Sequence, residues 1–158
     1  MNDAKIAKSA AKPAGRQTGA TGWTDDELSA MKEHNKELKA MARRGAAEAE
    51  GEEDVRAKIA EMSPSDREMA QRIHALIKQH APDLMARTWY GMPAYAKDGK
   101  VVCFFKPAEK FKSRYATLGF EDPANLDDGA MWPTSYALTK LTDADETTIA
   151  ALVKRAAS

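Results

Sequence analysis

The sequence predicts an α+β fold, in which a small antiparallel sheet of three to five strands packs against N- and C-terminal helices. Helical patterns fill the chain up to about residue 80, and strand patterns follow as a group up to about residue 138. A final helical pattern closes the chain. Strands that are grouped in sequence favour an antiparallel sheet, because neighbouring antiparallel strands need only short connections.

The hairpin at the centre of this prediction has its turn at Asp98-Gly99. Both central residues of a type I′ turn need positive φ, which Asp and Gly tolerate better than most residues. The turn joins a strand over about residues 87–97 to a strand over about residues 100–106. The second strand is apolar throughout its middle, which is typical of a strand covered on both faces.

The same turn predicts which side chains of the hairpin share a face. A regular two-residue loop places Tyr95 opposite Val102, on the face that also carries Phe104. Cys103 and Phe105 then belong to the other face, because successive side chains of a strand alternate.

Helical segments precede the hairpin, and we expect them over about residues 25–44, 53–62 and 65–80. Thr24 to Glu27 has the capping-box pattern that starts a helix, and Gly45 is expected to end that helix. The acidic stretch 48–54 is interpreted as a solvated linker.

Further elements are predicted after the hairpin. A third strand covers Tyr115 to Phe120, a partly irregular fourth strand lies between Met131 and Leu138, and Thr142 caps the last helix. The predicted organisation is a disordered tail (1–22), a helical N-terminal extension (23–62) and an α+β domain (63–158).

The overall charge is balanced, with 24 Lys and Arg against 24 Asp and Glu. Without a global positive field, the composition argues against nucleic acid as a partner. The apolar runs are too short to span a bilayer, so no membrane association is expected. One cysteine and no apolar leader predict a reducing, cytoplasmic location.

No catalytic or metal-binding motif in the sequence meets the minimum for an enzyme or a cofactor site. There is no nucleophile elbow and no glycine-rich phosphate loop. The histidines His34, His74 and His80 lack the spacing of zinc ligands, and Cys103 lies in the most apolar strand. The sequence therefore favours a non-enzymatic protein without a cofactor.

Aromatic side chains concentrate on the predicted sheet and leave two interpretations open. Most of them fit the core of a small sheet. Alternatively, half-exposed rings beside cationic side chains would line a groove for a small molecule or a protein partner. The ligand-binding residues of that groove would be Trp89, Tyr90, Met92, Tyr95, Lys106, Lys112 and Arg114.

The run Trp89-Tyr90-Gly91-Met92-Pro93-Ala94-Tyr95, followed by the apolar strand that starts at Gly99, resembles the YdhG-like domain family. The resemblance covers about residues 60–156 and implies a small α+β sandwich with an antiparallel sheet. Some members of that family are described as frataxin-like iron chaperones. The resemblance thus implies, as an alternative function, iron binding by surface carboxylates. The candidate ligands would be Glu121, Asp122, Asp127 and Asp128.

Overall fold

A computed structural model describes residues 24–158 and confirms the α+β class, with five antiparallel strands in the order β1-β2-β3-β4-β5. The elements are α1 (Asp25–Ala60), α2 (Pro64–His80), β1 (Met85–Trp89), β2 (Met92–Lys97), β3 (Lys100–Lys106), β4 (Ala116–Phe120), β5 (Ser135–Leu138) and α3 (Asp143–Ala156). The predicted tail, residues 1–22, lies outside the described residues.

Helix α1 begins with the predicted capping box. The Thr24 hydroxyl accepts from the Glu27 amide at 3.2 Å, and the Glu27 carboxylate accepts from the Thr24 amide at 2.9 Å. The predicted end at Gly45 and the predicted acidic linker at 48–54 are wrong, because the helix continues for 36 residues. A glycine inside a helix costs only about 1 kcal/mol, and the Ala, Arg and Glu residues around it are strong helix formers.

Contacts divide the described residues into two units, one up to residue 45 and one over residues 46–158. In the described part of the first unit, three large apolar side chains are exposed: Met31 at 45%, Leu38 at 49% and Met41 at 63%. In the second unit, Val55 and Ile59 are buried in the core. Part of the predicted helical extension therefore belongs to the core of the α+β unit.

Two tight turns organise the first three strands. The Asp98-Gly99 turn is confirmed, with φ of 52° and 79°. The predicted single strand over about 87–97 is instead two strands, which meet at Tyr90 (φ 50°) and Gly91 (φ 73°). Tyrosine is an uncommon residue at positive φ, so its presence in the sequence does not indicate a turn.

The predicted hairpin register is wrong by one residue beyond the turn. Tyr95 pairs with Cys103 and not with Val102, because the register shifts between Tyr95 and Ala96 and β3 accommodates one extra residue there. The shift places Tyr95 on one face with Cys103 and Phe105, and it places Phe104 on the opposite face.

The core lies between the Tyr95 face of the sheet and the three helices. Its buried side chains come from every layer and include Val55, Ile73, Ile77, Phe105, Leu118 and Val153. Arg72 joins α2 to the start of α3, because its guanidinium donates to Glu146 Oε1 at 2.6 Å and to the Leu141 carbonyl at 2.9 Å.

The last three elements, β4, β5 and α3, are two strands and a helix, as the sequence predicts. Strand β4 buries Ala116 and Leu118 as predicted, whereas β5 begins at Ser135, later than expected. The capping box of α3 is complete: the Thr142 hydroxyl accepts from the Asp145 amide, and the Asp145 carboxylate accepts from the Thr142 amide.

Candidate functional site

Aromatic rings line the sheet face opposite the core. Ala94 pairs with Phe104, and Trp89 pairs with Met92 in the neighbouring hairpin. The ring of Trp89 stacks at a tilted angle on Phe104, with 5.4 Å between centroids. Met92 and Ala94 are buried by this layer and lie outside the main core cluster.

Gly119 explains why the Phe104 ring can lie flat on this face. Gly119 pairs with Phe104 across β3 and β4, and a Cβ atom at Gly119 would collide with the Phe104 ring. Because Gly119 has no side chain, the ring of Phe104 can pack directly on the backbone of β4.

Tyr90 extends the aromatic layer beyond the end of β1. The tight turn turns its ring toward Trp89, edge to face, with 5.0 Å between centroids. The residue is 79% exposed, which is high for an aromatic side chain. Most of the Tyr90 ring therefore faces solvent and contributes little to the buried core.

Cationic side chains surround these rings. Lys110 donates from Nζ to the Gly91 carbonyl at 3.1 Å, which connects the turn to the loop after β3. Lys106 and Lys110 lie over the ring of Phe111, at 5.2 and 5.7 Å from its centroid. Arg114 lies over Tyr115 at 5.3 Å in the same way.

The residues from 85 to 116 carry most of this positive charge, with seven Lys and Arg against two acidic residues, Asp98 and Glu109. Lys97 is used elsewhere, because its Nζ donates to the Ala157 carbonyl at 2.8 Å. Within residues 24–158, none of the other six makes an ion pair. These six are Arg87, Lys100, Lys106, Lys110, Lys112 and Arg114.

We name this surface the aromatic-basic face. It consists of the rings of Trp89, Tyr90, Phe104, Phe111 and Tyr115 together with the six cations just named. Its edge includes an open cleft of about 510 Å³, lined by Arg87, Trp89, Lys100, Glu121 and Asp122. The carboxylates of Glu121 and Asp122 give the cleft both positive and negative charges. The more positive part of the aromatic-basic face is therefore the part that carries residues 106–114.

The predicted groove residues divide between two places. Trp89, Tyr90, Lys106 and Arg114 lie on the aromatic-basic face, and Lys112 is exposed in the loop after β3 with φ of 54°. Met92 is buried beneath the rings, with 7% exposed.

The prediction for Tyr95 is corrected by the structure. Tyr95 is 1% exposed and faces the core, so it cannot share a groove with Trp89. The turn at Tyr90-Gly91 is the reason, because it pairs Trp89 with Met92 and so places Trp89 on the face opposite Tyr95. The bulge in β3 also moves Phe104 to the face opposite Tyr95.

Sequence reasoning missed Phe104, Lys110, Phe111 and Tyr115 as members of this surface. A local signal was available for two of them, since Lys110-Phe111 and Arg114-Tyr115 are adjacent cation and aromatic pairs. The packing of Phe104 on Gly119 depends on how β3 pairs with β4, and no short stretch of sequence indicates that pairing.

A second polar cluster is buried on the core side of the sheet. Tyr95 Oη lies 2.7 Å from His74 Nδ1, and His74 Nε2 lies 2.6 Å from Glu52 Oε1. The two ring nitrogens of His74 therefore join the Tyr95 hydroxyl to the Glu52 carboxylate by hydrogen bonds. Lys78 and Arg56 flank Glu52, each with a nitrogen 3.2 Å from one of its carboxylate oxygens.

The protonation of this cluster follows from its surroundings. Burial raises the pKa of Glu52, but the hydrogen bond and charge of His74, together with Lys78 and Arg56, outweigh burial and hold that pKa at about 2. Burial raises the pKa of Tyr95 well above its ordinary value, and the nearby Cys103 and Glu52 act in the same direction. A tyrosine that stays protonated and inaccessible is suited to holding elements together and not to attacking a substrate.

The carboxylates of the iron hypothesis lie around a different cleft. Glu121, Asp122 and Asp127 line a cavity of about 310 Å³ beside Trp132, and Asp128 is exposed next to it. In the described part of the chain, no group of three or more His, Cys, Asp or Glu side chains is placed to hold a metal ion. Iron binding stays a prediction from the resemblance, without support from this geometry.

Cys103 is buried in the core, as its apolar strand predicts. Burial raises the pKa of its thiol to about 12. Since the thiolate is the reactive form, this position does not suit a nucleophile.

Comparison of the chain with protein-family models, with curated proteins and with solved structures gives no match. The YdhG-like resemblance therefore stays a prediction that rests on the residues quoted for it. Among residues 24–158, no helix combines the length and apolar character needed to cross a membrane.

Proposed function

We propose that the chain is a non-enzymatic binding domain that holds a small ligand or a protein partner on the aromatic-basic face. The observation that carries the proposal is the coexistence of an exposed, strained Tyr90 with six cations that lack ion pairs in residues 24–158. Exposed rings and unpaired cations do little for folding, whereas both are suited to contacting a partner.

The chemistry of the face indicates which ligands fit. Flat apolar surface on Trp89 and Tyr90 favours a planar group, and the cations at 106–114 favour a negative charge next to it. A planar anion, or a chain that presents planar groups and negative charges, satisfies both requirements.

The proposed contact residues differ in part from those of the groove that the sequence predicts. Tyr95 and Met92 are buried and are replaced as contact residues by Phe111 and Tyr115, which are 37% and 38% exposed. Trp89, Tyr90, Lys106, Lys112 and Arg114 remain in the proposed site.

The test is a ¹H–¹⁵N correlation spectrum of the full chain, titrated to millimolar concentration with indole-3-acetate, naphthalene-2-sulfonate and AMP. We expect shifts in the Trp89 indole N–H and in the backbone amides of Tyr90, Gly91 and Lys106. Tyr90→Asn should remove them, because asparagine tolerates positive φ but has no ring.

The matched control is Met131→Asn, which removes another large apolar side chain, 88% exposed, from outside the aromatic-basic face. It should leave the shifts unchanged. If no compound of the panel perturbs the face of the folded protein, the proposed function is wrong.

A further inference from the structure

We infer that the aromatic-basic face binds single-stranded nucleic acid. The inference rests on the proposed function and specifies its ligand class. It departs from the expectation that composition alone supports, which argues against nucleic acid because the chain has no net charge.

The charges are balanced over the whole chain but are unevenly distributed along it. The balance of 24 against 24 is an average over the whole chain, whereas residues 85–116 hold seven cations and two acids. The fold gathers these residues on three strands and the loop that follows them. Phosphate groups respond to this local density, because electrostatic attraction falls off within about 10 Å at ordinary ionic strength.

The aromatic rings account for the single-stranded form. Tyr90, Phe111 and Tyr115 expose between a third and four fifths of their surface, and each has a cation nearby or in contact with its ring or turn. Unpaired bases stack on such rings regardless of their identity, while neighbouring cations neutralise the phosphates. Alternating aromatic and cationic residues are typical of protein surfaces that bind single-stranded nucleic acid.

Two other polyanions satisfy only part of this surface. Duplex DNA keeps its bases stacked inside, so the rings would contribute nothing to its binding. A peptide of acidic residues alone would pair with Lys106, Lys112 and Arg114 but would have no rings to place on Tyr90 and Phe111. Both become controls in the experiment.

The experiment measures fluorescence anisotropy of a labelled oligothymidylate of about fifteen nucleotides with the full chain at low salt. We expect a dissociation constant between about 1 and 100 µM, the range of sequence-independent binding. Tyr90→Asn should weaken binding about 5- to 100-fold, the effect of losing one stacking ring.

The cations are tested by their salt dependence. Lys106→Ala and Arg114→Ala should each weaken binding and lower the slope of log affinity against log salt by about 0.7. The matched controls Lys140→Ala and Lys154→Ala remove exposed lysines outside the aromatic-basic face and should change neither quantity. The N-terminal lysines are present in every variant, so they cannot produce the differences.

Several results would overturn the inference. These are the absence of binding at low salt, affinity that is unchanged by Tyr90→Asn, equal binding of a duplex of the same length, or equal competition by polyglutamate. If the oligonucleotide fails while the planar anions still perturb Trp89 and Tyr90, only the nucleic-acid inference falls. If both fail, the proposed binding function falls as well.

Discussion

At the scale of single residues, Tyr90 combines two features that folding does not favour. Its φ of 50° is strained for a side chain with a Cβ atom, and its ring is 79% exposed. Its ring packs edge to face on Trp89, with 5.0 Å between centroids. A residue with this cost and so little burial is expected to be retained for contacts with a partner.

We therefore predict that Tyr90→Asn leaves the free energy of unfolding within about 0.5 kcal/mol of the parent. Asparagine relieves the strain at positive φ, which offsets the lost contact with Trp89. Chemical denaturation measures the difference. A loss of several times this size would show that the ring is structural.

Gly99 occupies the second position of the Asp98-Gly99 turn with φ of 79°. A Cβ atom there would meet nothing within 4 Å, so any penalty of substitution is conformational. We predict that Gly99→Val destabilises the protein by about 1 kcal/mol or more. Thermal unfolding measures the loss, and Gly99→Asn, which tolerates positive φ, should lose less. Equal melting temperatures for Val and Gly would contradict the turn.

Cys103 gives a prediction about reactivity. Because burial holds the pKa of its thiol at about 12, the folded protein should resist iodoacetamide at mildly alkaline pH. The same treatment in denaturant should add one adduct, since the chain has one cysteine. Intact-mass spectrometry distinguishes the two. Rapid labelling of the folded protein would show that the core opens easily.

At the scale of elements, α1 contains two glycines with opposite environments. A Cβ atom at Gly45 would meet nothing within 4 Å, whereas one at Gly51 would collide with the backbone carbonyl oxygen of Ala86 in β1. The absence of a side chain at Gly51 therefore allows α1 to approach the edge strand β1 closely.

We predict opposite signs for the same substitution at these two positions. Gly45→Ala should stabilise the protein by about 0.5–1 kcal/mol through helix propensity. Gly51→Ala should destabilise it by about 1–3 kcal/mol, because the helix must move off β1. Denaturant unfolding of both variants measures the pair. Stabilisation by Gly51→Ala would rule out the close approach.

At the scale of the whole molecule, the Glu52–His74–Tyr95 cluster connects α1, α2 and β2 through two short hydrogen bonds. Its members are 21 and 22 residues apart in sequence. Removing one member would leave another buried and without a partner, which costs more than the bond itself contributes.

The cluster predicts a pH dependence of stability. The pKa of Glu52 is about 2 in the folded protein and 4.5 as the ordinary value, so its contribution is complete above pH 4.5 and is lost as the pH falls toward 2. Glu52→Gln should therefore reduce the free energy of unfolding at neutral pH by about 2 kcal/mol and flatten its fall over that window.

The control for this experiment is Glu53→Gln, which neutralises the exposed neighbouring carboxylate. It should leave both the neutral stability and its slope between pH 4.5 and 2 near those of the parent. Parallel curves for Glu52→Gln and the parent would show that the cluster does not contribute as described.

Sequence patterns anticipated those parts of the fold that depend on neighbouring residues. The capping boxes at Thr24 and Thr142 and the turn at Asp98-Gly99 are each formed by a few consecutive residues, and all are present. The Tyr90-Gly91 turn was missed although it is local, because tyrosine at positive φ carries no turn signal.

The sequence by itself determined the α+β class, the grouping of the strands between helices, the capping boxes that start α1 and α3, and one hairpin turn, because these depend on propensity and short-range hydrogen bonds. Only the tertiary structure decided the continuity of α1, the bulge that places Phe104 on the face opposite Tyr95, and the gathering of rings and cations on one face. Those features depend on packing between residues that are distant in sequence, such as Gly51 with Ala86 and Phe104 with Gly119. Packing of this kind overrides local preference, since it changes which side of each element is buried.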